Sequence, residues 1–183
     1  MSVRTERPQP GEYAEFYGGY VARVPTGDIV ALLESQLVEL GLVLGDLPAE
    51  MHSHAYAPGK WTVREVVGHM TDAERVFAYR ALRFARGDET PVPGFDENAY
   101  VPAGRFEERP LASLLVELGA VRRATIALLQ DLPEAAWTRR GVANGQPITV
   151  RALANVAYGH VAHHLALLDE RYGVRTPVPE LEA

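Results

Sequence analysis

The chain has no cysteine. That absence excludes disulfides, thiolate-ligated zinc, iron–sulfur clusters and a cysteine nucleophile. No apolar run approaches the ~20 residues of a membrane-spanning helix. The opening MSVRTERPQPGEY lacks the apolar stretch of a secretory leader. A soluble cytoplasmic protein is the expectation. Basic residues are scarce too: 18 Lys and Arg stand against 24 Asp and Glu, a formal net charge of −6. Without a basic cluster, neither nucleic-acid phosphates nor an anionic membrane surface is an expected partner. Internal repeats and low-complexity tracts are absent, and strand-like alternation is weak throughout.

What is present is ordinary globular usage, with 47% apolar and 23% charged residues in a chain of 183. That length fits one domain, residues 1–183, with residues 1–25 as an N-terminal extension packed on it. Four segments carry helical periodicity. The first runs from about Asp28 to Gly45, with Ile29, Leu32, Leu33, Leu37, Leu40 and Leu44 along its apolar stripe and Thr26 or Asp28 as cap. The second, from about Val63 to Ala85, starts at a capping box, Thr62-Val63-Arg64-Glu65, and stops before Gly87. The third spans about Pro110 to Gln130, and the fourth about Val150 to Tyr172, between Thr149 and Gly173. A short helical turn at Pro133–Trp137 separates the last two.

Four amphipathic helices with no sheet to pack on predict an all-α four-helix bundle. Residues 87–109 form a long crossover rich in Pro and Gly between helices two and three. Helix two is roughly 35 Å long at 1.5 Å per residue, and a linker of this size can run back along it. Helices two and three would then be parallel, in up-down-down-up order.

Of the six histidines, three lie in Gly159-His160-Val161-Ala162-His163-His164-Leu165. His160 and His164, four apart, share a helix face with Leu153 and Ala157, and that face points inward. His69 lies on helix two in line with Val66, Ala73 and Val76, also inward. Burying imidazoles is costly unless each finds a partner. A shared cation satisfies all three at once and suits Zn²⁺ or Ni²⁺. The competing reading is a set of core histidines bonded to helix carbonyls or to one another. His163 flanks the pair and competes with His164 as ligand, while His52 and His54 read as exposed loop residues. Asp72 stands three residues after His69, placed either to orient its imidazole from outside the ligand set or to pair with Arg75 or Arg64. Arg75, Arg80, Arg83 and Arg86 crowd the end of helix two, where the helix dipole favours cations; a functional role would be to hold a substrate carboxylate.

These residues resemble the DinB-like superfamily of metal-binding four-helix bundles, close to its YfiT-like branch. The resemblance rests on Ala57 through His69 (APGKWTVREVVGH), Asp72-Ala73-Glu74-Arg75, Pro93 through Val101 (PGFDENAYV), and His160 through Leu165, with Gly11 through Tyr17 also fitting. It covers nearly the whole chain. It implies an up-down-down-up bundle, a divalent metal, zinc or nickel, held by His69, His160 and His164, and a homodimer. Relatives that use bacillithiol or mycothiol imply a thiol-dependent S-transferase acting on a small-molecule substrate. Lacking cysteine, this chain would take its thiol from a diffusible low-molecular-weight cosubstrate. A metal-dependent hydrolase is the alternative; it needs a general base, for which Asp72 and Asp96 are the candidates. A non-catalytic metal-binding stress protein is the third reading.

Overall fold

The computed structural model describes residues 3–174; the expectation for residues 1–2 and 175–183 lies outside the described residues. In chain order the helices are α1 (Gly18–Ala22), α2 (Ile29–Leu44), α3 (Val63–Ala85), α4 (Glu97–Gly104), α5 (Leu111–Gln130), α6 (Glu134–Trp137) and α7 (Val150–Tyr172). Strands β1 (Arg140–Ala143) and β2 (Gln146–Thr149) form one antiparallel pair between α6 and α7. The four long helices α2, α3, α5 and α7 are the bundle. Asp28 caps α2 by accepting from Val30 N at 2.9 Å. The Thr62 box on α3 is complete, with the Glu65 carboxylate accepting from Thr62 N at 2.8 Å. Gly173 ends α7 in the left-handed conformation, φ 71°.

Contacts between helices fix the topology. Arg122 on α5 bonds Leu33 O and Gln36 of α2, while Leu37 packs on Gly119, so these two helices run antiparallel. Arg75 of α3 pairs with Glu117 of α5, and Leu82 shares a groove with Leu128, so those two run parallel. The Tyr172 hydroxyl donates to Trp61 O at 2.6 Å while His160 lies against His69, so α7 opposes α3. The order is up-down-down-up, as expected. The crossover is not bare loop: it carries α4 and a 3-10 turn at Phe106–Glu108, and the Phe106 ring lies against Gly68 of α3.

A strand pair also departs from the sequence reading. The β1–β2 hairpin turns at Asn144-Gly145, with φ 51° and 73°, the left-handed pair that a tight two-residue hairpin turn requires. Val92 of the crossover bridges to Ala143, so the hairpin pins the start of the long connection. Strands this short show too few alternations to register as a period, but the Asn-Gly pair was their local signature.

Among the described residues the interior holds two apolar clusters. One gathers Phe84, Trp137, Ile148 and Val150 with Val21 and Val24; the other gathers Leu44, Val63, Met70, Leu114 and Leu168. No helix among the described residues is long and apolar enough to cross a membrane. Residues 3–25 lie on the bundle through Val3, Val21 and Val24, all buried, and through Glu12. That carboxylate accepts from Thr149 Oγ1 at 2.9 Å and from Arg151 Nε at 2.8 Å. Burial alone would raise the Glu12 carboxyl, but the hydrogen bonds from Arg151, Gln9 and Thr149 outweigh it and hold it below 4.5.

The Glu12 contribution is therefore present above pH 4.5 and lost as pH falls through the lower folded value. Glu12→Gln is expected to cost about 1.5–3 kcal/mol at neutral pH, the range for hydrogen bonds to charged groups. The gap between variant and parent should close in acid. Urea melts at pH 7 and pH 3 check this; a gap that is unchanged at pH 3 contradicts it.

Candidate metal centre

His69 on α3 and His160 and His164 on α7 meet where the two apolar clusters join. Facing antiparallel helices bring them together, and all three are buried, 5–6% exposed. His160 Nε2 lies 3.0 Å from His69 Nε2 and 3.2 Å from His164 Nε2. One ligand atom from each ring falls within 4.8 Å of the others. Nitrogens about 2.0–2.1 Å from one tetrahedral ion stand roughly 3.3–3.4 Å apart, close to the two short separations.

The chemistry of the donors makes the same point. A neutral imidazole Nε2 carries either one proton or one lone pair. His160 Nε2 has two nitrogen neighbours and cannot bond well to both. A single cation facing all three lone pairs removes that conflict. Burial pushes the His69 pKa down to about 4, with His163 adding to that and Glu97 opposing it. Burial, with neighbouring imidazoles, also lowers His160 and His164 well below 6.5. All three rings are thus neutral near pH 7, the state that binds a metal. The residues fit a divalent ion.

The rings around the triad are aromatic. Trp61 lies 4.8 Å from the His69 ring, and Phe77 and Tyr20 lie 5.6 and 5.5 Å from the His160 ring. Tyr20 gets there because α7 offers no side chain at Gly159: a Cβ at that position would sit 2.1 Å from Tyr20 O. The N-terminal segment therefore presses its backbone against α7 and contributes one wall of the site.

The other expected residues are placed as follows. His163 is half-buried beside Tyr20 and is not among the three converging rings. The Asp72 carboxylate takes Arg75 Nη1 at 3.4 Å, and no hydrogen bond joins it to His69 among the described residues. Asp96 caps α4 by accepting from Asn98 N. His52 bonds Leu47 O, and exposed His54 lies edge-on to Tyr172.

Two cavities border the triad. One of about 280 Å³ is lined by His69, His160, Phe77, Tyr17, Glu97 and Arg80. The other, about 230 Å³, is lined by His164, Trp61, Tyr56, Lys60, Asn98 and Tyr172. Glu97 is the residue the sequence reading passed over: it follows Asp96 at the start of α4 and stands close enough for its charge to act on His69.

OB0413 of Oceanobacillus iheyensis, whose name suggests a metal-dependent hydrolase, is 28% identical over 137 residues, 73% of this chain and 78% of its own. YfiT of Bacillus subtilis, for which metal-dependent hydrolysis and an unusual four-helix bundle topology are suggested, superposes with a TM-score of 0.72. It is 22% identical, and the match covers 93% of this chain and 95% of YfiT. The DinB-like protein YjoA of Bacillus subtilis superposes at 0.58, 20% identical, covering 84% and 96%. The family model of the DinB superfamily matches residues 32–168, a span that includes all three converging histidines, and the chain belongs to that superfamily.

Proposed function

We propose that the chain is a metal-dependent hydrolase of small molecules, with His69, His160 and His164 as the metal ligands. The observation that carries the reading is the cavity itself: the triad opens onto a space that also holds a carboxylate, Glu97. A divalent cation held there, zinc or nickel, supplies Lewis acidity, polarising a carbonyl and lowering the pKa of water to about 7. The chain's own groups do the rest. Glu97 takes a proton from water as its oxygen adds to the carbonyl carbon, then returns it to the leaving group. Phe77, Tyr17 and Tyr20 wall the cavity beside the reacting atoms. Association into a homodimer belongs to the same proposal, supported by the exposed apolar Val38, Leu42 and Val116 on α2 and α5.

A thiol-dependent S-transferase is the second reading, and one observation favours it: two separate cavities reach the triad, room for a thiol and an electrophile to arrive by different routes. A panel of small activated esters and anilides, assayed with and without mycothiol or bacillithiol, separates the two. Hydrolysis without thiol that disappears on chelation is expected. Glu97→Gln should lower kcat about 10²–10⁴-fold, the worth of a positioned base, with metal content unchanged. Turnover only with added thiol would replace the hydrolytic reading by transfer. Full activity in Glu97→Gln would remove the base.

A further inference from the structure

Among the described residues two arginines are almost wholly buried, and they are treated differently. Arg122 is fully enclosed and forms a bidentate pair with Glu74. Arg80, 2% exposed, has no carboxylate in ion-pair contact among the described residues. Its Nη2 donates to Pro93 O at 2.9 Å, its Nε is buried without a partner, and it acts on the Tyr17 phenol. A buried guanidinium without a counter-charge is costly.

Its place makes sense of that cost. Arg80 lines the same cavity as the triad, three helical turns along α3 from His69, with Ala73 and Phe77 between them on one wall. Eleven residues span about 16 Å of helix axis, and side chains lean toward the helix N-terminus, here toward His69. The cavity thus has a neutral, metal-binding end and a cationic end. Its polar lining is completed by Asn144 and Glu97.

We propose that Arg80 anchors a carboxylate of the substrate, whose reacting carbonyl lies at the triad. The guanidinium fork matches a carboxylate in charge-assisted hydrogen bonds. One cation beside an acidic residue favours a monoanion over a phosphate dianion. The substrate class is then a small amide or ester carrying a free carboxylate. The position of the reacting carbonyl rests on the hydrolytic reading above; the anchor itself does not.

The test starts with the metal-free chain. Titration calorimetry at constant ionic strength compares hexanoate with hexanamide, equal in length and differing in charge. Wild type is expected to bind hexanoate about 10–100-fold more tightly, the worth of a charged hydrogen-bonded contact. Arg80→Met should abolish that preference, and Arg80→Lys should keep part of it. Equal affinities in wild type, or a preference that survives in Arg80→Met, overturn the anchor. The wild-type comparison decides even if Arg80→Met does not fold. In the metal-loaded chain, acetohydroxamate is compared with ω-carboxyalkyl hydroxamates of four to eight carbons. One chain length should bind at least about tenfold more tightly in wild type and lose that gain in Arg80→Met. Hexanoate preference without any hydrolysis supports the anchor and removes the hydrolytic reading. Hydrolysis of neutral esters as fast as of carboxylate-bearing ones removes the anchor and keeps hydrolysis.

Discussion

A His160→Ala chain, stripped with a chelator and reloaded, is expected to bind zinc or nickel at least about 100-fold more weakly than its parent. Loss of an outer partner of a ligand already costs about 10–100-fold, and His160 is the ring whose Nε2 touches both others. His69→Ala should behave alike. His163→Ala should keep full stoichiometry, because His163 stands outside the converging group. Far-UV circular dichroism should change little, since truncating a buried imidazole deletes a polar group that the apo core satisfies poorly. Metal should raise the Tm of wild type and His163→Ala, because a ligand bound only by the folded state stabilises it. It should leave His160→Ala where it was. Elemental analysis of untagged protein gives the stoichiometry. Equal metal in wild type and His160→Ala would end the three-histidine assignment and the hydrolytic proposal with it.

The bundle and the triad were legible because each rests on a short-range pattern. The Thr62 box, the Asp28 cap and Gly173 mark helix ends by local chemistry. His160 and His164 share a face by spacing alone, and the length of the crossover permits the parallel α3–α5 pairing. Much of the cavity was not legible, because its walls come from distant segments. Tyr20 reaches His160 from α1, and Glu97 and Pro93 come from a crossover whose Pro and Gly content masks the α4 turns. The Asp96–Glu97 pair at the α4 start offered two carboxylates, of which backbone capping claims the first. Nothing in the sequence says which remains free for the cavity. Arg80 did carry a signal. Eleven residues are almost three whole turns at 3.6 residues per turn, so it falls on the stripe of His69 rather than with the solvent-facing arginines. The cluster of like residues around it hid that distinction. In the structure, burial and the lack of a carboxylate partner among the described residues set Arg80 apart from Arg75, which pairs with Asp72 and Glu117, and from Arg83, which pairs with Asp88.

Arg122→Met is expected to destabilise the chain by about 3–5 kcal/mol, the cost of stranding a buried charge. Arg122 Nε and Nη2 hold the Glu74 carboxylate at 2.8 and 3.0 Å, and Nη1 reaches Gln36 Oε1 at 2.8 Å. Gln36 Nε2 in turn donates to Tyr158 O at 3.1 Å. One polar chain thus crosses α5, α3, α2 and α7, with Glu74 and Arg122 no more than 1% exposed. Removing the guanidinium leaves the Glu74 carboxylate in an apolar interior with no counter-charge. Against a total stability of about 5–15 kcal/mol, that loss puts folding itself in question at 37 °C. Glu74→Leu should cost a comparable amount by stranding Arg122. The double variant Arg122→Met/Glu74→Leu strands neither charge and is expected to recover most of the loss, since apolar replacement of a whole buried pair is often neutral or stabilising. Urea melts of the four chains form a double-mutant cycle. A double variant as unstable as the sum of its singles would mean that the pair does not act as a unit. Arg80→Met supplies the contrast. It removes an unpaired charge and strands none, so its melting midpoint should stay near wild type, as it would not if Arg80 were there to hold the bundle together.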